Sequence, residues 1–194
     1  MTTARRVLSV NVAAAGRLPI GNREVLSAID KRGVAADVAV RPLGLAGDEQ
    51  ADPSLHGGLD KAVYAYPSEH YRVWQTVRAQ AGLAAWQTEL PCGFFGENLT
   101  LEGLLENQVW IGDVLRFPRC ELAVAGARQP CFKFNAVMGF GQASKLMVQS
   151  GYCGFYLAVR VPGTIAAGEA FELLCGPREV GIPELFRSVM AKHR

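Results

Sequence analysis

Nothing in these 194 residues is arranged to hold structural zinc or an iron–sulfur cluster. The five cysteines (Cys92, Cys120, Cys131, Cys153, Cys175) are widely spaced, without a Cys-x-x-Cys pair or a Cys/His cluster. An odd count and no disulfide-like framework fit a reducing compartment, so a cytoplasmic location is expected. An excess of one charge is missing too. Lys and Arg number 20 against 18 Asp and Glu, and a net +2 gives no global electrostatic case for nucleic acid. No apolar run approaches the roughly 20 residues that span a bilayer, so no membrane partner is expected. The opening "MTTARRVLSVNVA" lacks the long apolar core of a signal peptide and reads as a first strand. There is no internal repeat, no low-complexity linker and no Gly-x-Gly-x-x-Gly fingerprint. What is present, 49% hydrophobic residues, suffices for one domain with a full core.

Short β-type segments dominate. "RVLSVNVA" (residues 6–13), "VAADVAVRPLGL" (34–45), "KAVYAY" (61–66), "DVLRF", "ELAVAGARQ", "FYLAVRV" (155–161) and "EAFELL" are rich in valine, leucine and aromatics. Turn signals separate them, with "PGTIAAG" read as one such turn. Strands at this density predict a mainly β fold with peripheral helices, a closed or nearly closed barrel. Helices are predicted for "PSEHYRVWQTVRAQAG", ending at Gly82, for "GQASKLMVQSG", and from Pro183 to the last residues.

Four stretches carry possible chemistry. In "ARQPCFKFN", Cys131 follows Pro130 and lies between Arg128 and Lys133. Such a thiol reads either as a small buried hydrophobe at a strand end or as a thiolate favoured by the cations. The loop "GLAGDEQADPSLHGGLDKAVYAYP" (44–67) is long and polar. Gly57 and Gly58 could form an anion nest beside His56 and Lys61, or an ordinary turn. Asp48, Asp52 and Asp60 share this loop, but their spacing matches no standard metal-binding loop. In "GFFGENLTLEG", Asn98 reads as a partner for a heterocycle or as a turn-stabilising residue. Glu97 reads equally well as an exposed strand-end charge. Cys153, without flanking cations, reads as structural.

Taken in order, "GLAGDEQAD…HGGLDKAVYAYPSEHY", "FGENLT", "IGDVLRF", "RQPCFKFN" and "GFYLAVRVPGTIAAGEAFEL" resemble the MOSC domain, named after the C-terminal domain of molybdenum cofactor sulfurases. The similarity is greatest to the stand-alone bacterial, YiiM-like branch and covers most of the chain. It implies a MOSC-type barrel over residues 1–176, with 177–194 as a helical tail, the start of a three-helix unit that continues in that branch. It further implies that the barrel binds a molybdopterin-type molybdenum cofactor with Cys131 as the metal ligand. Arg128 and Lys133 would balance the cofactor's charge and hold the thiolate deprotonated. His56, Gly57, Gly58 and Lys61 match an HGG-x-x-K segment that would frame the pocket or bind phosphate. Asn98 would face the pterin, and Asn135 would orient the cysteine loop.

The resemblance implies an oxidoreductase that reduces N-hydroxylated compounds such as hydroxylamino-purines and amidoximes. Without a dinucleotide fingerprint or an iron–sulfur cysteine set, its electrons would come from a separate electron-transfer protein. Two alternatives stay open. One is a cofactor carrier or sulfur-transfer module using Cys131. The other is a thiol or pyridoxal-phosphate protein without molybdenum, with Lys61 near a phosphate nest.

Overall fold

The structure, a computed structural model, describes residues 4–51 and 57–192. Its strands are β1 (Arg6–Val12), β2 (Gly16–Ile20), β3 (Arg23–Ser27), β4 (Arg32–Gly33), β5 (Val38–Arg41), β6 (Gly44–Leu45), β7 (Val63–Pro67), β8 (Leu99–Glu102), β9 (Val114–Arg116), β10 (Glu121–Ala127), β11 (Phe155–Val161), β12 (Gly163–Ile165) and β13 (Glu172–Leu174). The helices are α1 (Tyr71–Gln80), α2 (Phe132–Met138), α3 (Ala143–Ser150) and α4 (Ile182–Ala191).

Eight strands form one sheet in the order β13–β9–β10–β11–β7–β8–β1–β4. β7, "VYAYP", is buried at all five positions, as suits a strand covered on both faces. It pairs antiparallel with β11 and parallel with β8. A parallel pair needs a crossover, and α1 supplies it. α1 buries Tyr71 and Trp74, and the Trp74 indole donates to Tyr66 Oη at 2.6 Å. Phe95 sits at the centre of this packing, its ring 4.7 Å from Tyr66, 4.9 Å from Tyr71 and 6.2 Å from Phe134.

β1 is joined to the segment just before β13 by a seam rather than a continuous ladder. Val7 N–H donates to Glu169 O at 2.9 Å, Gly168 N–H to Val7 O at 2.7 Å, and Phe171 N–H to Arg5 O at 3.2 Å. With one isolated bridge between Arg6 and Ala170, this makes the barrel nearly closed. α4 joins the same core, burying Ile182 and Phe186, and Ile182 N–H bonds Val109 O at 3.0 Å. No helix among the described residues is long and apolar enough to cross a membrane.

Three local readings are corrected. "PGTIAAG" is not only a turn, because residues 163–165 form β12 and pair with β5. The expected strand over 34–45 is a hairpin, β5 and β6, folding back at the Pro42–Leu43 turn. Cys131 does not end a strand. It is the residue before α2, a helix whose start carries no side-chain cap and so gives no sequence signal.

Candidate functional site

β10 ends at Ala127, and the chain then turns inward through Arg128 before α2 begins. Arg128 is only 5% exposed. Its guanidinium lies over the rings of Tyr64 (5.4 Å) and Phe134 (5.1 Å), and Nη1 is 3.3 Å from Met147 Sδ. Among the described residues, no Asp or Glu forms an ion pair with it. Burial works against its charge, yet Tyr64, Tyr156 and Cys131 beside it hold its pKa above the usual arginine value. Burial likewise pushes the Tyr156 phenol up, with Arg128 opposing.

Arg128, Cys131, Lys133, Lys61, Asn98, Lys31 and Asp48 line one cavity. Cys131 is half-buried and, like the other four cysteines, forms no disulfide. Lys133, 8% exposed, donates to Leu26 O at 2.9 Å and fastens the first turn of α2 to β3. Lys61 Nζ lies 5.9 Å from the Tyr156 ring centroid. Four cations against two acids, Asp48 and Glu49, give this wall the positive balance that the whole chain lacks.

Opposite charges meet at Lys31 and Asp48, an ion pair with side chains 7% and 8% exposed. Asp48 Oδ1 also accepts Ala13 N–H at 2.9 Å, and Oδ2 accepts the Asn98 amide at 2.8 Å. Burial lowers the Lys31 pKa, while Asp48 pulls it back up. Asn98 is fully engaged within the protein. It gives a second N–H to Asn11 O at 3.3 Å and accepts Tyr64 N–H at 3.0 Å, so it straps β1, β7 and the 48–51 loop together.

Glu97 is a correction: it is fully buried rather than an exposed strand-end charge. Its carboxylate accepts from Tyr71 Oη, Gly93 N–H (2.9 Å), Phe95 N–H (3.1 Å) and Thr100 Oγ1 (2.8 Å). Burial raises its pKa, with these donors opposing. Four donors on one carboxylate shape the 93–97 turn, which presents Phe95 and Gly96 to the cavity. Gly96 has φ 82°, and a Cβ there would come within 2.8 Å of Ile29 Cγ1.

The other expected residues lie elsewhere. Gly57 and Gly58 do not line the cavity, and Gly58 N–H, at φ 93°, is donated to Gln50 Oε1 at 3.0 Å. Asn135 Oδ1 accepts Ser144 N–H at 2.7 Å and links α2 to α3. His56 and Asp52 lie outside the described residues. Sequence reasoning missed Lys31, Tyr64 and Tyr156, none of which stands in a distinctive local pattern.

Residues 52–172 match the MOSC domain family. The chain is 37% identical over 168 residues to YflK of Bacillus subtilis, covering 87% of this chain and 72% of that protein. A Gibberella moniliformis protein named as a reductase is 32% identical over 167 residues, 84% of this chain but 28% of its own length. The crystal structure of YiiM from Geobacillus stearothermophilus superposes with a TM-score of 0.75 at 31% identity, covering 97% of this chain and 85% of that one.

Proposed function

This chain belongs to the MOSC domain family, and we propose that it is a molybdenum-cofactor oxidoreductase. Its proposed substrates are N-hydroxylated small molecules, hydroxylamino-purines and amidoximes among them, with electrons from a separate electron-transfer protein. Arg128 carries the reading: a buried cation that no carboxylate of the described protein neutralises, in the cavity wall with the Cys131 thiol. A buried charge is costly unless paired. Here the cavity's occupant would provide the pairing.

A molybdopterin-type cofactor suits this donor set. Its phosphate and dithiolene are anionic, and a soft thiolate is a fitting partner for a sulfur-rich metal. Among the described residues no three His, Cys, Asp or Glu side chains cluster to hold a metal ion. One thiol in a basic cavity therefore suits a metal that arrives with most of its ligands. Cys131 would be the protein ligand, with Arg128 and Lys61 balancing the anionic groups. Lys133 would keep positive charge beside the sulfur, favouring the thiolate. When bound, the cofactor supplies two-electron oxygen-atom chemistry. Ile29 and Gly96 offer an apolar wall to a flat substrate.

The reductase name of the fungal relative favours an oxidoreductase over a passive carrier. The chain has neither a dinucleotide fingerprint nor an iron–sulfur cysteine set, which supports an external electron donor. The test is amine formation from an amidoxime by cofactor-loaded protein, driven by an artificial low-potential donor. Wild type is expected to turn over, and Cys131→Ala to lose at least about 100-fold, in line with loss of an essential group. Fully loaded wild type that forms no amine from any N-hydroxylated substrate contradicts the proposal.

A further inference from the structure

Reduction of an N–O bond consumes protons as well as electrons: R–NH–OH + 2 e⁻ + 2 H⁺ gives R–NH₂ + H₂O. The N–O bond breaks, one proton forms a new N–H bond, and the other leaves with the oxygen as water. The external reductant supplies both electrons. A cavity group positioned to hand a proton to the nitrogen would accelerate this step.

Most cavity groups are poorly placed for this. Arg128 does not release its proton in proteins. Lys133 is the cation that the proposed function keeps charged beside the Cys131 sulfur, and Lys61 lies over the Tyr156 ring. Burial pushes the Tyr64 and Tyr156 phenols up, which makes them weak acids. Lys31 differs. It is 8% exposed, it lines the cavity, and Asp48 is the hydrogen-bond partner of its ammonium among the described residues. An ammonium has three donors, so two remain unspent. Asp48 is itself fixed by Ala13 N–H and the Asn98 amide, so the pair has one orientation.

We propose that Lys31 is the proton donor of this cavity, delivering a proton to the nitrogen as the N–O bond breaks, with Asp48 as the positioning residue that aims it. The inference rests on the reductase reading above. The lowered basicity that burial gives Lys31 suits the role, because a general acid works best when its pKa approaches the working pH. The acids acting on it are Asp48 and, more distantly, Glu97. The other titratable groups of the wall are Glu49, Lys61, Lys133, Tyr64, Tyr156 and Cys131. Solvent would reprotonate Lys31 between turnovers.

Two measurements test this. Competitive acylation of wild-type protein across pH, read by mass spectrometry, needs neither cofactor nor turnover. The Lys31 midpoint is expected below the ordinary lysine value of 10.5. A midpoint equal to or above it overturns the inference. In loaded protein, Lys31→Met and Lys31→Arg are both expected to lose about 10²- to 10⁴-fold in kcat with molybdenum content unchanged, the range for general acid catalysis. Arginine keeps the charge but gives up no proton, so Lys31→Arg with half or more of wild-type kcat overturns the role. If loaded wild type itself is inactive, the reductase reading falls and this inference with it. If wild type and both variants are active, the inference alone falls.

Discussion

Two buried charges only a few residues from the same cavity are treated in opposite ways. Glu97 is answered entirely from within, by two backbone N–H groups and two hydroxyls. Arg128, 5% exposed, has no carboxylate partner among the described residues; ring faces, a thioether and the Tyr156 hydroxyl surround it. A fully satisfied buried network fixes structure, whereas a buried charge without a counter-charge is costly, and in the proposed function an anionic ligand offsets that cost. The comparison separates what builds this cavity from what the cavity is for.

The sharpest way to break it is to remove the carboxylate. Glu97→Ala leaves four buried donors without an acceptor and is expected to cost about 4 kcal/mol, read by urea unfolding. A loss under about 1 kcal/mol would show that the network is not a structural keystone. Arg128→Met should behave in the opposite sense. Replacing an unpaired buried cation by an apolar side chain is expected to shift stability by no more than about 1 kcal/mol, in either direction, while removing cofactor binding.

Lys31 lies between these extremes, and pH sharpens the distinction. Its folded pKa is lowered below 10.5, so the folded state releases this proton before the unfolded chain does. The cost of burying the cation is therefore present below the folded pKa and relieved as pH rises through the window that ends at 10.5. Wild type should gain stability relative to Lys31→Met as pH climbs towards that limit, measured by denaturant unfolding at stepped pH. A constant difference would refute the shift. The smallest effect belongs to the β2–β3 hairpin. Arg17 and Glu24 pair there with side chains 80% and 57% exposed, and Arg17→Ala should change stability by about 0.5 kcal/mol or less.

The strands were legible where they are central and apolar: "FYLAVRV" is β11 residue for residue. The α2 helix was not, because "FKFNAVM" has no capping residue and follows a proline-cysteine pair that reads as a strand end. The site was legible only along the chain. Arg128, Cys131 and Lys133 stand within six residues of one another and could be noticed together. Lys31 could not, since "AIDKRGV" looks like any solvated charged turn. Only its meeting with Asp48, 17 residues away and itself held by Asn98 another 50 residues on, shows which lysine is buried. Glu97 and Asn98 illustrate the converse. Their sequence neighbourhood drew attention, but their hydrogen bonds are used up inside the fold.

The most direct measurement is the molybdenum content of protein made in a cofactor-producing host, for wild type, Cys131→Ala and Arg128→Met. Near-stoichiometric metal in wild type, with loss in both variants, is the expected result. Negligible metal in all three, with cofactor synthesis in the host confirmed, would contradict the assignment of this cavity to a molybdenum cofactor.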